Sequence, residues 1–120
     1  INMIYALLQG LSLIEEEGYE AVYARHQRVH ERLVAGVEEL GLSMAVEKGY
    51  RLPNLNAITV PEGVDEVAVR SGLRNKHLIE IGAGLGPLAG KIWRVGIMGH
   101  TAREENVDRF LSALREEIGA

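Results

Sequence analysis

The stretch KIWRVGIM, Lys91–Met98, constrains the fold more than any other part of the chain. It is apolar enough to be buried, short enough to be a strand, and interrupted inside by a single permanent cation, Arg94. Side chains of a strand alternate between its two faces, so Trp93, Val95 and Ile97 share one face and Ile92, Arg94, Gly96 and Met98 the other. The Trp93 face is the natural core side. Arg94 then points away from the core, beside a glycine that leaves space. A guanidinium so placed is a planar fork that can hold a carboxylate by two parallel hydrogen bonds. An ion pair with an Asp or Glu of the same chain is the plainer reading of alternation alone, because arginines usually lie at the surface.

The sequence around this strand is a succession of short elements. Met3–Ile14 reads as a helix with Ile4, Leu7, Leu8, Leu11 and Ile14 in one stripe, and Met3, Ala6 and Leu13 extending the apolar surface beyond it. A helix apolar on nearly every side needs cover on more than one side, which a chain this short is expected to find in another domain or subunit. Tyr19–Leu40 is a second helix, with Val22, His26, Val29, Leu33, Val37 and Leu40 at spacings of three and four. Strands are expected at Leu42–Val46, Asn56–Val60, Leu78–Ile81 and Lys91–Met98, and a helix at Asp65–Lys76 with Val67, Ala68 and Leu73 inward. Thr101 and Glu104 fit a capping box for a last helix, whose core stripe is Val107, Phe110, Leu111, Leu114 and Ile118. The order α-α-β-β-α-β-β-α implies a single α+β domain over residues 1–120: a small, mostly antiparallel sheet with helices packed on one face.

Charge and composition exclude several classes of function. Lys plus Arg number 13 against 17 Asp plus Glu, a net charge of −4, which argues against nucleic acid as a partner. The absence of cysteine removes disulfides and thiolate metal sites. No apolar run approaches the roughly 20 residues needed to span a bilayer, and no signal peptide is visible, so a cytoplasmic protein is expected. The chain does not begin with Met and is expected to be the end of a longer protein.

Three further features invite chemistry. Gly82, Gly84, Gly86 and Gly90 suggest a dinucleotide loop, but Pro87 interrupts the run and a strand follows where that motif requires a helix. These glycines are expected to let the backbone turn sharply or approach a ligand closely, with Gly84 and Gly86 lining a site. His26 and His30 stand one helical turn apart, a possible metal spacing. No acidic third ligand follows at a recognisable spacing, so His26 reads as a packed helix histidine and no metal is expected. His100, at the junction of strand and last helix, either lines a site near Arg94 or merely precedes the helix.

LIEIGAGLGPLAGKIWRVGIMGHTAREENVDRFLSALREEI, Leu78–Ile118, resembles the C-terminal end of class V pyridoxal-phosphate aminotransferases, nearest the serine–pyruvate and alanine–glyoxylate group. MIYALLQGLSLIEEEGYEAVYARH and RLPNLNAITVPEGVD are similar to the same family in the same order. The resemblance implies that Arg94 binds the substrate α-carboxylate. It also implies what lies outside this chain: the domain with the cofactor lysine, the aspartate on the pyridine nitrogen, and the phosphate contacts. On that reading the intact protein is a homodimeric transaminase acting on small amino acids and 2-oxo acids. Pyridoxal phosphate is bound by the N-terminal domain, no catalytic or cofactor-binding residue lies here, and the fragment alone is inactive. A stand-alone α+β module that holds a small carboxylate without catalysis is the alternative. Such a module should not leave Met3–Ile14 apolar all round.

Overall fold

A computed structural model describes all 120 residues. Four helices and three short strands follow in the order α1 (Asn2–Glu17), α2 (Tyr19–Glu39), β1 (Leu55–Thr59), α3 (Glu66–His77), β2 (Gly82–Ala83), β3 (Ile92–Gly96) and α4 (Glu104–Ile118). The sheet is antiparallel with β3 in the centre, in the order β1-β3-β2. This is the expected α+β architecture. Trp93, Val95 and Ile97 face the core, where Val29, Leu33 and Val37 of α2, Val69 and Leu73 of α3, and Val107, Phe110 and Leu114 of α4 cover them. Trp93 is fully buried, and its indole N–H points to the carbonyl of Glu66 at 3.4 Å.

Helices α2 and α4 pack closely because Gly36 has no side chain: a Cβ there would come 2.1 Å from Cδ1 of Leu111. Arg32 crosses the same seam with two bonds to the Asp108 carboxylate, at 2.6 and 2.7 Å. Both side chains are about half exposed, so the pair adds little stability. A buried polar link joins α2 to β1. His30 Nδ1 donates to Asn56 Oδ1 at 2.6 Å, and Asn56 Nδ2 donates to the carbonyl of Pro53. The amide's bond to Pro53 leaves its oxygen as the acceptor, which puts the ring proton on Nδ1.

Several local expectations are corrected. Leu42–Val46 does not form a strand. It makes one bridge, Met44 to Ile58, with bonds from Ala45 N–H to Ala57 O and Thr59 N–H to Ser43 O, before turning away at Glu47–Tyr50. Leu78–Ile81 is not a strand either. Leu78 adopts a left-handed conformation (φ 56°) that ends α3, and pairing starts only when the chain reaches Gly82, opposite Arg94. In α3 the Asp65 carboxylate accepts the Ala68 N–H and fixes the start of the helix, so Glu66, Val69 and Leu73 turn inward while Val67 and Ala68 are exposed. Thr101 does not cap α4. It lies in a separate 3₁₀ turn, Gly99–Thr101, where its hydroxyl donates to Met98 O and accepts the Met98 N–H, and α4 starts after Arg103 without a side-chain cap.

Helix α1 contributes nothing to the core. No residue of it is buried, and Leu7, Leu8 and Leu11 are each more than half exposed. No helix is long and apolar enough to cross a membrane.

Leu33→Ala is expected to lower unfolding free energy by about 2–5 kcal/mol, whereas Leu11→Ala should change it by less than about 0.5 kcal/mol, as measured by urea denaturation of dilute protein. A second expectation concerns pH. Glu117 of α4 accepts from Lys76 and from His77 of α3, and its carboxyl is held below the ordinary value of 4.5 first by the Lys76 bond and then by His77, against the opposing effect of burial. A depressed carboxyl contributes stability above its unfolded pKa and loses it as pH falls through the folded one. The stability of Glu117→Gln should therefore fall less steeply than that of the parent below about pH 5, with the two curves running parallel at neutral pH.

Candidate functional site

Arg94 stands at the middle of the central strand, with Ala57 of β1 and Gly82 of β2 as its cross-strand neighbours. Both neighbours are small, so neither side chain competes for the space above the sheet. The Arg94 side chain lies across β2. Its Nε donates to the carbonyl of Ala83 at 2.7 Å, and a Cβ on Gly82 would lie 3.3 Å from Nη2. No carboxylate of the chain lies within 4.0 Å of this guanidinium, and neither Nη atom has a hydrogen-bond partner. The ion pair that alternation alone favoured is therefore not formed. Instead a half-buried arginine is fastened by its Nε, and its terminal Nη pair is uncommitted.

The glycines around it have separate duties. A Cβ on Gly84 would sit 2.0 Å from the Leu88 carbonyl oxygen and 3.0 Å from Ile92 Cγ1, so only glycine lets the 3₁₀ turn at Gly86–Leu88 fold back over the sheet. Gly86 starts that turn, with open space where a side chain would project. At the far end of the strand, a Cβ on Gly96 would come 3.3 Å from the Met98 methyl.

His100 is exposed in the Gly99–Thr101 turn. Arg103 holds it, through Nε to its carbonyl at 2.9 Å and Nη2 to its ring Nδ1 at 3.3 Å. It shares no hydrogen-bond partner with Arg94. His26 and His30 serve different elements. The His26 ring lies between Val22 O and the Gly99 N–H, while His30 reaches Asn56.

A group that sequence reasoning missed is His77, Glu116 and Glu117, whose ligand atoms lie within 4.8 Å of one another. Lys76 pairs with Glu117 at 3.0 Å, which makes the group an ion-paired seam between α3 and α4. No spacing in the sequence signals it, because its members lie about 40 residues apart.

No lysine of this chain has the setting of a cofactor lysine. A cofactor lysine needs a sheltered ammonium among polar partners. Lys48 and Lys91 are exposed, and Lys76 is 64% exposed and paired with Glu117. Two clefts of about 680 and 620 Å³ lie along α2 and its adjoining loops, and neither is lined by Arg94.

No protein-family model matches the chain. Individual proteins do. It is 40% identical over 113 residues to a (S)-ureidoglycine–glyoxylate transaminase of Bacillus subtilis, covering 94% of this chain and 27% of that protein. It is 43% identical over 118 residues to an alanine–glyoxylate aminotransferase of Drosophila melanogaster, covering 98% of this chain and 30% of the relative. Among solved structures, an alanine–glyoxylate aminotransferase from Nostoc sp. superposes with a TM-score of 0.95 at 50% identity, over 98% of this chain and 31% of that one. The chain thus spans less than a third of the length of these relatives, and it matches their C-terminal part. Sequence and fold together show that the chain belongs to the class V aminotransferase family and corresponds to its C-terminal segment.

Proposed function

We propose that this chain is the C-terminal domain of a transaminase that moves an amino group between a small amino acid, such as alanine or serine, and a 2-oxo acid, such as glyoxylate or pyruvate. Arg94 holds the substrate carboxylate. The observation that carries the reading is the division of labour within one guanidinium: Nε is fixed on Ala83 O, while Nη1 and Nη2 are free. An end-on fork of two N–H groups matches the two oxygens of a carboxylate, and two parallel bonds stop the bound acid from rotating. In amino and 2-oxo acids the reacting carbon is attached directly to the carboxylate. Fixing one therefore places the other, which is catalysis by positioning rather than proton transfer. Gly84 and Gly86 contribute to this site by shaping the backbone over β2.

Pyridoxal phosphate supplies the electron sink for such chemistry when bound. On this reading it is held by an N-terminal domain that carries the lysine, and the working enzyme is a homodimer. The length of the relatives and the uncovered α1 support a missing partner domain. A self-sufficient carboxylate-binding module gives no reason for leaving Leu7, Leu8 and Leu11 in water.

Deprived of that domain, the chain is expected to self-associate through α1. Sedimentation velocity over a concentration series should show oligomers that Leu7→Glu/Leu11→Glu disperses; a monomer at every concentration counts against the reading. In the intact enzyme, Arg94→Lys keeps the charge and loses the fork. One charged hydrogen bond of about 1.5–3 kcal/mol should lower kcat/KM for alanine by roughly tenfold to a hundredfold. Arg94→Ala should cost more, and both should spare an amine without a carboxylate. Equal losses for the two substrates, or a collapsed fold, would make Arg94 structural.

A further inference from the structure

We propose that Arg25 and His26, successive residues of α2, are positioning residues for the Gly99–Ala102 turn that follows the Arg94 strand, and that Arg25 joins this turn to the end of α1. The proposal rests on the reading of Arg94 as the carboxylate anchor. Strand β3 is secured by its ladder as far as Gly96, and the Ile97 N–H is held by Asn54 O at 3.0 Å. Beyond that point the chain makes a single 3₁₀ turn whose own bonds are local: Thr101 Oγ1 to Met98 O at 2.9 Å and Ala102 N–H to Gly99 O at 3.2 Å. Such a turn has little stability of its own.

What holds it comes mainly from α2. The Gly99 N–H donates to His26 Nε2 at 3.0 Å, and Gly99 O accepts from Arg25 Nη1 at 2.8 Å. One residue is thus gripped at both its amide N–H and its carbonyl by two adjacent side chains. The same Nη1 also reaches Ala102 O at 2.9 Å. Asn106 adds one bond from α4, to Thr101 O at 3.1 Å.

The partners of His26 dictate its form. Nδ1 lies 2.7 Å from the Val22 carbonyl and must carry the proton, while Nε2 faces an N–H and must be bare. Only an acceptor at the Nε2 position can do this work, so a side chain with an oxygen there should substitute and an apolar one should not. The remaining donors of Arg25 go elsewhere. Nε and Nη2 bind the two oxygens of Glu17, the last residue of α1, at 2.6 and 2.9 Å, and hold that carboxyl below its ordinary value. A single side chain therefore spans the end of α1 and the loop beyond Arg94.

The test uses the intact aminotransferase, with hydrogen exchange followed by mass spectrometry on the Met98–Arg103 segment and steady-state kinetics with a 2-oxo acid. His26→Leu should speed exchange of this segment about tenfold, the loss of one well-made hydrogen bond. It should also raise KM by about three- to tenfold while changing kcat by less than about twofold. His26→Gln, whose amide oxygen can stand where Nε2 stands, should restore both. Arg25→Met should free the same segment and the Glu17 end of α1 together. Unaltered exchange in His26→Leu, or failure of Gln to restore it, overturns the anchor. Faster exchange with unaltered KM overturns the positioning role. An Arg94→Lys enzyme with unaltered kcat/KM overturns the carboxylate reading and the positioning role with it, a result that leaves the exchange data unchanged.

Discussion

The burial of Trp93 governs the arrangement of this domain. It is the largest fully buried side chain, it lies in the central strand, and three helices close over its face. Strand alternation then leaves no freedom for its neighbour. With Trp93 in the core, Arg94 must emerge on the opposite face, between the small cross-strand partners Ala57 and Gly82. Exchanging the two faces would place a guanidinium among Leu33, Leu73 and Leu114, at a desolvation cost that no core of this size could offset. The hydrophobic core and the outward placement of Arg94 are consequences of one choice of strand phase.

That choice places Arg94 but does not aim it. Aim comes from the Ala83 carbonyl, which takes Nε and leaves the Nη fork without a partner in the chain. An arginine tied to backbone in this way has lost part of its side-chain freedom before a substrate arrives, so less remains to be lost on binding. Helix α2 extends the same economy through the domain. Val29, Leu33 and Val37 enter the core, His30 fixes β1 through Asn56, and Arg25 and His26 hold the turn beyond β3.

Much of this was legible in the sequence. The stripes of α2 and α4 follow a 3.6-residue period over many residues, and strand alternation was enough to put Trp93 inside and Arg94 outside. The errors came where short segments carry competing signals. Val67 is as apolar as Val69, and the Asp65 cap helps decide which face turns inward. Thr101 and Glu104 have the spacing of a capping box, yet the hydroxyl finds Met98 first. Leu42–Val46 and Leu78–Ile81 have strand composition, but one leaves the sheet after a single bridge and the other is used to end a helix. The functional site divides in the same way. Strand alternation put Arg94 outside the core but favoured an ion pair there, and the carboxylate role proposed for it came from the family resemblance. The bond of Arg94 to Ala83 and the grip of Arg25 and His26 on Gly99 depend on tertiary neighbours that no local pattern encodes. The last of these are more than 70 residues apart.

The central claim is that the Nη fork of Arg94 receives a substrate carboxylate. A crystal structure of the intact protein with a 2-oxo acid or a non-reactive amino-acid analogue tests this most directly. The account expects both carboxylate oxygens at about 2.7–2.9 Å from Nη1 and Nη2, with Nε still on the Ala83 carbonyl. A carboxylate bound elsewhere, with the Arg94 fork turned to solvent or to a carboxylate of the protein, would contradict it.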